Sequence, residues 1–310
     1  MGEEIRLTAS DGGSFAAYLA LPARLPAPAV VVLPEIFNAN PHIRSVADGW
    51  AADGFIALAP DVFWRQEAGC YLPYTDEGRT KARALQALLD TEQYARDLAD
   101  IVAALRARPD CTGKVGVMGF CLGGKFAYLA STRLPVEAAV SYYGVAIDQH
   151  LDEADRRRCP LLMHFASDDP HVPEATVAAI RARLEGNPGV DIHVYPGTEH
   201  GFNRKGYPMF NEAAATAARQ RTLTLLRAAL TQDEAPLTHL NQALIMGLSA
   251  RLAELRLALS AQPITLEGLP ESLKRDWVTA DGRARVEVAP SGDGRNNNTL
   301  VGFVTAVQAL

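Results

Sequence analysis

The chain reads as an α/β protein with a doubly wound, mostly parallel sheet, and three observations predict it. Short apolar runs alternate with longer stretches of helical periodicity over residues 1–233, the pattern of strands joined by crossover helices. A Gly-x-Cys-x-Gly turn at 119–123 directly follows the apolar run Val115-Gly116-Val117-Met118. The other chemically distinctive residues, Glu35, Asp169 and His200, also fall just beyond apolar runs, where such sheets gather their sites.

The elements follow in order. An opening hairpin pairs Ile5–Thr8 with Phe15–Ala20 around Asp11-Gly12-Gly13. Parallel strands are expected at Ala29–Leu33, Phe55–Ala59, Val115–Met118, Ala138–Tyr142, Leu161–Phe165 and Val190–Tyr195. Helices are expected over about Asn40–Asp53, Thr80–Leu89, Thr91–Ala107, Cys121–Ser131, Glu174–Leu184 and Glu212–Ala229. From about Gln232 the character changes. Thr231–Pro236 reads as a linker, Leu240–Leu259 has apolar residues at helical intervals, and Pro263–Leu310 is polar, with a Trp277-Val278 anchor, an Arg285–Val288 strand and a soft run at Ser291–Asn298. The domains expected are 1–233 and an appended segment, 234–310.

Composition narrows the function classes. With 310 residues, 48% hydrophobic and 21% charged, the chain can bury one sizeable core and something smaller. A net charge of -6 without a basic cluster gives no support for nucleic acid as a partner. No stretch approaches the roughly 18 apolar residues of a membrane span. Four cysteines without metal-ligand or disulfide-framework spacing, and an acidic, polar Met1–Arg6, suggest a reducing cytoplasm. Phosphate-loop and dinucleotide patterns are absent. No metal or other cofactor is expected.

The chemistry centres on Gly119-Phe120-Cys121-Leu122-Gly123-Gly124. A tight strand-to-helix turn exposes the thiol above the sheet and strains its backbone, and side chains at the flanking glycines would collide with neighbouring elements. At a helix start, the dipole and free amides favour thiolate, and the Leu122 amide can point at a developing oxyanion. A thiolate needs a base, and the base a carboxylate to fix its tautomer. His200, on the loop Pro196–Phe202 after a strand, and Asp169, in Ala166-Ser167-Asp168-Asp169-Pro170, supply them. Asp168 is the rival acid, otherwise a loop-capping residue. The order nucleophile, acid, histidine is that of the α/β-hydrolase fold. His164 lies inside an apolar strand and reads as a satisfied core histidine; nothing marks His171 or His193 as ligands.

These motifs, with Leu33-Pro34-Glu35-Ile36-Phe37-Asn38, Ser141-Tyr142-Tyr143-Gly144 and Tyr195-Pro196-Gly197-Thr198-Glu199-His200-Gly201-Phe202, make residues 1 to about 233 resemble the dienelactone hydrolase, or carboxymethylenebutenolidase, family. The resemblance implies hydrolysis of a small-molecule lactone or activated ester by Cys121, His200 and Asp169. It implies that Glu35 pairs with the resting cysteine and takes the thiol proton when substrate binds, although an ordinary acid near a helix start also accounts for Glu35. A carboxylate beside a thiol would have a perturbed pKa suited to proton transfer near neutrality. The Ile36 amide becomes a second oxyanion donor. Arg79 and Arg204 become a clamp for the substrate carboxylate, and Tyr143 and Phe37 substrate-binding residues. The chain departs from the family pattern at Arg83, where characterised members have tyrosine, and at Gln86, where they have tryptophan. Trp64 or Tyr71, in the stretch Phe63–Tyr71, is the expected substitute in that aromatic wall.

A second resemblance covers the tail. Leu269–Val278 and Asp281–Val288 are similar to part of the extracytoplasmic region of hopanoid-associated RND-type exporters. The reading is an appended segment without catalytic role, a subdomain that covers the hydrolase or mediates dimerisation being the alternative. The competing functions are a broader carboxylesterase or thioesterase and, from another class, a non-catalytic interaction module for an exporter, which an intact reactive set argues against. A monomer or small homo-oligomer is expected.

Overall fold

The computed structural model describes residues 2–231 and, beyond them, Glu271, Lys274, Arg275, Asp281, Arg283, 289–293 and 295–309. The chain divides into two compact units, Met1–Asp233 and Glu234–Leu310. The first carries an eight-stranded sheet: β1 (Glu3–Thr8), β2 (Ser14–Ala20), β3 (Ala27–Leu33), β4 (Ile56–Pro60), β5 (Cys111–Phe120), β6 (Ala138–Tyr142), β7 (Leu161–Ala166) and β8 (Val190–Tyr195). Their order across the sheet is β1-β2-β4-β3-β5-β6-β7-β8. β1 and β2 form an antiparallel hairpin, β2 joins β4 antiparallel, and every pairing from β4 through β3 to β8 is parallel.

β3 explains why the middle strands are apolar without alternation. Val31 and Leu33 face a cluster that includes Leu98, Phe126 and Met163, whereas Val30 and Val32 face one that includes Trp50, Phe120 and Leu226. A strand buried on both sides has no solvent face to signal a period of two. Each face is covered by helices: α1 (Pro41–Ala52) and the long α7 (Glu212–Leu230) supply buried residues to the second cluster, and α4 (Thr91–Arg106), α5 (Leu122–Arg133) and α6 (Glu174–Leu184) to the first.

The boundaries shift where caps or hydrogen bonds outweigh hydrophobic pattern. The helix expected from Thr80 starts at Asp76 (α3, Asp76–Ala87), because the Thr75 hydroxyl accepts from the Gly78 amide at 3.1 Å and Asp76 and Glu77 occupy the first turn. β5 starts at Cys111, four residues before its apolar part. Two elements carry no hydrophobic signal long enough to read: α2 (Trp64–Glu67) and a 3-10 segment, Ile147–Arg156.

The tail expectations at Leu240–Leu259, Trp277-Val278 and Arg285–Val288 lie outside the described residues, as does most of the exporter-like stretch. The soft run proves to contain a helix start: α8 spans Asn297–Gln308, with the Asn296 side chain accepting from the Asn298 amide at 3.0 Å. No helix among the described residues is long and apolar enough to cross a membrane.

Candidate active site

Cys121 sits between β5 and α5 with φ 54° and ψ -113°, a region that disfavours any residue with a Cβ. Two close approaches require the glycines around it. A Cβ on Gly119 would lie 2.2 Å from the Gly123 carbonyl oxygen, and one on Gly123 would lie 2.4 Å from that of Leu33. Hydrogen bonds hold the turn: the Cys121 amide donates to Tyr142 O (3.0 Å), the Gly123 amide to Pro34 O (3.1 Å) and the Val145 amide to Cys121 O (3.3 Å). The thiol is thus tied to the β3–α1 loop, which carries Glu35, Ile36 and Phe37. Leu122 opens α5, and among the described residues neither its amide nor that of Ile36 donates to another backbone group.

Asp169, following β7, is buried, and its Oδ2 lies 2.7 Å from His200 Nδ1. Its Oδ1 accepts from the amides of His171 (2.7 Å) and Val172 (3.2 Å). Asp169 therefore both holds the histidine and caps the loop, while the exposed Asp168 accepts only from its neighbour Ser167. Among the described residues His200 Nε2 is buried without a hydrogen-bond partner, and Cys121 is close enough to act on its charge. Burial opposes charge on the imidazole, but Cys121 beside it and the bond to Asp169 outweigh that and raise His200 to about 10. His171 adds a second ring, edge-on at 4.8 Å from His200. His164 is fully buried as a core residue, Nε2 meeting the Thr222 hydroxyl at 3.1 Å and Nδ1 the Tyr195 hydroxyl at 3.0 Å.

Glu35 departs from expectation. Its carboxylate is 2% exposed and bonded to Arg204 Nη2 (2.8 Å), Tyr74 Oη (2.8 Å) and Tyr143 Oη (3.3 Å), and Cys121 is not among its partners. Burial pushes the carboxyl up, but the Arg204 charge and the bonds from Arg204 and Tyr74 overcome it and hold Glu35 below its ordinary value. In this arrangement it is a stable anion rather than a base poised near neutrality. Arg204 is correspondingly engaged: it stacks over Tyr74 with its guanidinium carbon 4.0 Å from the ring centroid, and Phe37 and Tyr207 flank it at 5.8 Å.

The remaining expected residues divide. Phe37 and Arg79 line a cleft of about 590 Å³ together with Glu35, Ile36, Cys121 and His200. Arg83 and Gln86 line it too, so the departures from the family pattern do fall at the site. Tyr143 does not line it. It is 1% exposed with φ 38° and lies beneath the site, its ring 4.8 Å from that of His200. The expected cleft-wall substitutes do not line it either: Trp64 stacks on Phe15 at 5.0 Å and donates to Asp97 at 3.0 Å, and Tyr71 lies under Arg44. The aromatic residue that sequence reasoning missed is Tyr74, whose only signal was a lone tyrosine between Pro73 and a helix cap.

A mostly parallel sheet wound on both sides, a strained turn at Cys121 between β5 and α5, and an acid and a histidine after β7 and β8 are the arrangement of an α/β hydrolase. The dienelactone hydrolase family model matches residues 15–230. A protein of Azospirillum brasilense provisionally named a carboxymethylenebutenolidase is 38% identical over 236 residues, covering 72% of this chain and 97% of its own length. The carboxymethylenebutenolidase of Pseudomonas sp. strain P51 is 36% identical over 227 residues, 73% of this chain and 94% of that one. A Klebsiella pneumoniae structure provisionally named a dienelactone hydrolase superposes with a TM-score of 0.65 at 27% identity, over 73% of this chain and 98% of that one. The chain belongs to the dienelactone hydrolase family and is an ester-bond hydrolase.

Proposed function

We propose that the chain hydrolyses a carboxylate-bearing dienelactone, the carboxymethylenebutenolidase reaction, through a thiol acyl-enzyme. The observation that carries this reading is the alignment of Cys121, His200 and the buried Asp169, with 2.7 Å between imidazole and carboxylate, in a chain whose relatives bear that name. Cys121 thiolate attacks the lactone carbonyl, and the amides of Ile36 and Leu122 hold the oxyanion. The ring C–O bond breaks to give an enolate tethered to the acyl-enzyme. His200 manages the protons, activating the water that cleaves the thioester, and Asp169 fixes its tautomer and stabilises the imidazolium. Family resemblance assigns Glu35 the thiol proton; to take it, Glu35 must leave Arg204.

The catalytic unit in this reading is residues 1–233, with 234–310 an appended segment, and four free cysteines suit a cytoplasmic setting. Arg83 and Gln86 in the cleft wall favour a second reading, a carboxylesterase or thioesterase of wider range. Amides are poor substrates in either, since a thiol acyl-enzyme favours good leaving groups. The test is loss of dienelactone ultraviolet absorbance with purified protein beside Cys121→Ala and a short-chain aryl ester. Cys121-dependent turnover of the lactone well above the ester is expected. Ester turnover without lactone turnover would overturn the substrate and keep the thiol mechanism.

A further inference from the structure

The loop after β3 carries the Ile36 amide to the cleft, and it is anchored on both sides of that amide. On one side Pro34 O accepts from the Gly123 amide of the elbow at 3.1 Å. On the other the Asn38 amide donates to Glu35 O at 3.0 Å, closing a four-residue turn with Ile36 and Phe37 at its centre. Asn38 ends that turn at φ 63°, a left-handed backbone that asparagine tolerates better than most residues with a Cβ.

The Asn38 side chain fastens the turn to its surroundings. Its Nδ2 donates to Asp61 Oδ1 at 2.6 Å and to Cys70 O at 3.1 Å, and its Oδ1 accepts from the amides of Ala39 and Val62, each at 2.9 Å. Both amide hydrogens and both lone pairs are used. Asp61 is buried in turn and, among the described residues, makes no ion pair; besides Asn38 it accepts from the amides of Phe63 (3.1 Å) and Gly69 (2.7 Å). The loop after β3, the loop after β4 and the segment 69–72 are thereby knotted together, and the Leu72 amide adds a bond to Phe37 O at 3.0 Å. Neither Asn38 nor Asp61 lines the cleft.

A buried polar network with every member satisfied specifies a single geometry. An oxyanion donor acts most strongly when its direction is fixed before the charge develops. We infer that Asn38 is a positioning residue of the oxyanion hole: held by Asp61 and the loops that meet there, it sets the direction of the Ile36 amide relative to that of Leu122. Its effect falls on the transition state rather than on the sulfur or on the bound substrate. The inference rests on the reading of Cys121 and Ile36 given above.

The experiment uses the full chain and two measurements. Asn38→Gly keeps a residue suited to the left-handed backbone and removes the side-chain bonds. With a short-chain aryl ester it is expected to lower kcat about ten-fold or more while KM stays within about three-fold. Alkylation of Cys121 by iodoacetamide, followed on its peptide by mass spectrometry, forms the S–C bond as iodide leaves and develops no oxyanion. Its rate is expected to stay within about two-fold of wild type. A kcat within about two-fold of wild type overturns the inference, as does alkylation slowed as much as kcat, which places the effect on the thiol. Should Asn38→Gly not fold, Asn38→Asp decides by the same outcomes, since it retains the acceptor for the Ala39 and Val62 amides and loses only the donation to Asp61 and Cys70.

The second measurement does not need turnover. The Cys121 sulfur adds to the carbonyl carbon of an aryl trifluoromethyl ketone, the thiol proton passing to His200 and the carbonyl oxygen becoming the oxyanion. Fluorine NMR is expected to show the adduct in wild type and an affinity weakened about ten-fold or more in the Asn38 variant. No adduct in wild type, or equal affinity in both, overturns the inference. A wild type that turns over neither ester nor lactone refutes the hydrolytic reading separately, and the ketone still decides the role of Asn38.

Discussion

Arg204 and Glu35 lie 2.8 Å apart, with side chains 9% and 2% exposed, and the pair joins the loop after β8 to the loop after β3. Removing one partner strands the other charge in a site that water barely reaches. Arg204→Ala is expected to destabilise the fold by about 3–5 kcal/mol and to depress turnover of neutral and anionic substrates alike. Urea midpoints and kcat/KM on both substrate types check this. A selective loss on anionic substrates would return Arg204 to a direct role in substrate binding.

Tyr74 anchors the same pair, donating to Glu35 at 2.8 Å and stacking against Arg204. The Glu35 carboxyl is held below its ordinary value in the fold, so its contribution to stability is present at neutral pH. That contribution disappears as pH falls through the folded value. Tyr74→Phe removes one of the bonds that favour the anion, and the acid loss of stability is expected to begin at higher pH than in wild type. Urea midpoints between pH 3 and pH 7, a window of about four units chosen to span ordinary carboxylate titration, test it.

His200 is expected to remain protonated well above neutrality and to titrate at about 10. The corresponding stabilisation is complete below the ordinary value of 6.5 and is lost as pH rises through about 10. Cys121→Ala removes the neighbour that raises it, and the histidine resonance should then titrate nearer its ordinary value. An unchanged NMR titration would mean that sulfur carries no charge beside the ring. Cys121→Ala should also lower turnover by at least about 10³-fold, and Asp169→Asn by roughly 10²–10⁴-fold.

Gly123 packs against the backbone of Leu33 with no room for a methyl group. Gly123→Ala is expected to destabilise the protein by at least about 1–3 kcal/mol and to lower kcat through displacement of the elbow. Thermal unfolding together with steady-state kinetics measures both; an unperturbed melting temperature would contradict the close approach.

The regularly wound parts were legible because their signals are local. β6, β8 and α6 have the bounds their apolar runs imply, and the reactive set is readable because strand ends bring Cys121, Asp169 and His200 to one side of the sheet. The state of Glu35 was not legible. Its partners Tyr74, Tyr143 and Arg204 are 39, 108 and 169 residues away, and no pattern within a strand or loop reveals a bond of that separation. The burial of Tyr143 is not legible for the same reason: the motif that carries it follows a strand end, but the residue has a positive φ and its ring packs against the histidine. Sequence spacing barely separates Asp169 from Asp168; the loop geometry does, burying one and exposing the other.

Among the described residues, the backbone hydrogen bonds and close contacts that hold the elbow run through main-chain atoms of Cys121, Gly119 and Gly123 rather than through the sulfur. The reactive atom is therefore an interchangeable part on a fixed mount. A hydroxyl or a selenol could be seated at the same point without rebuilding the scaffold, and differences in rate among such versions would report the chemistry of the atom rather than the architecture that presents it.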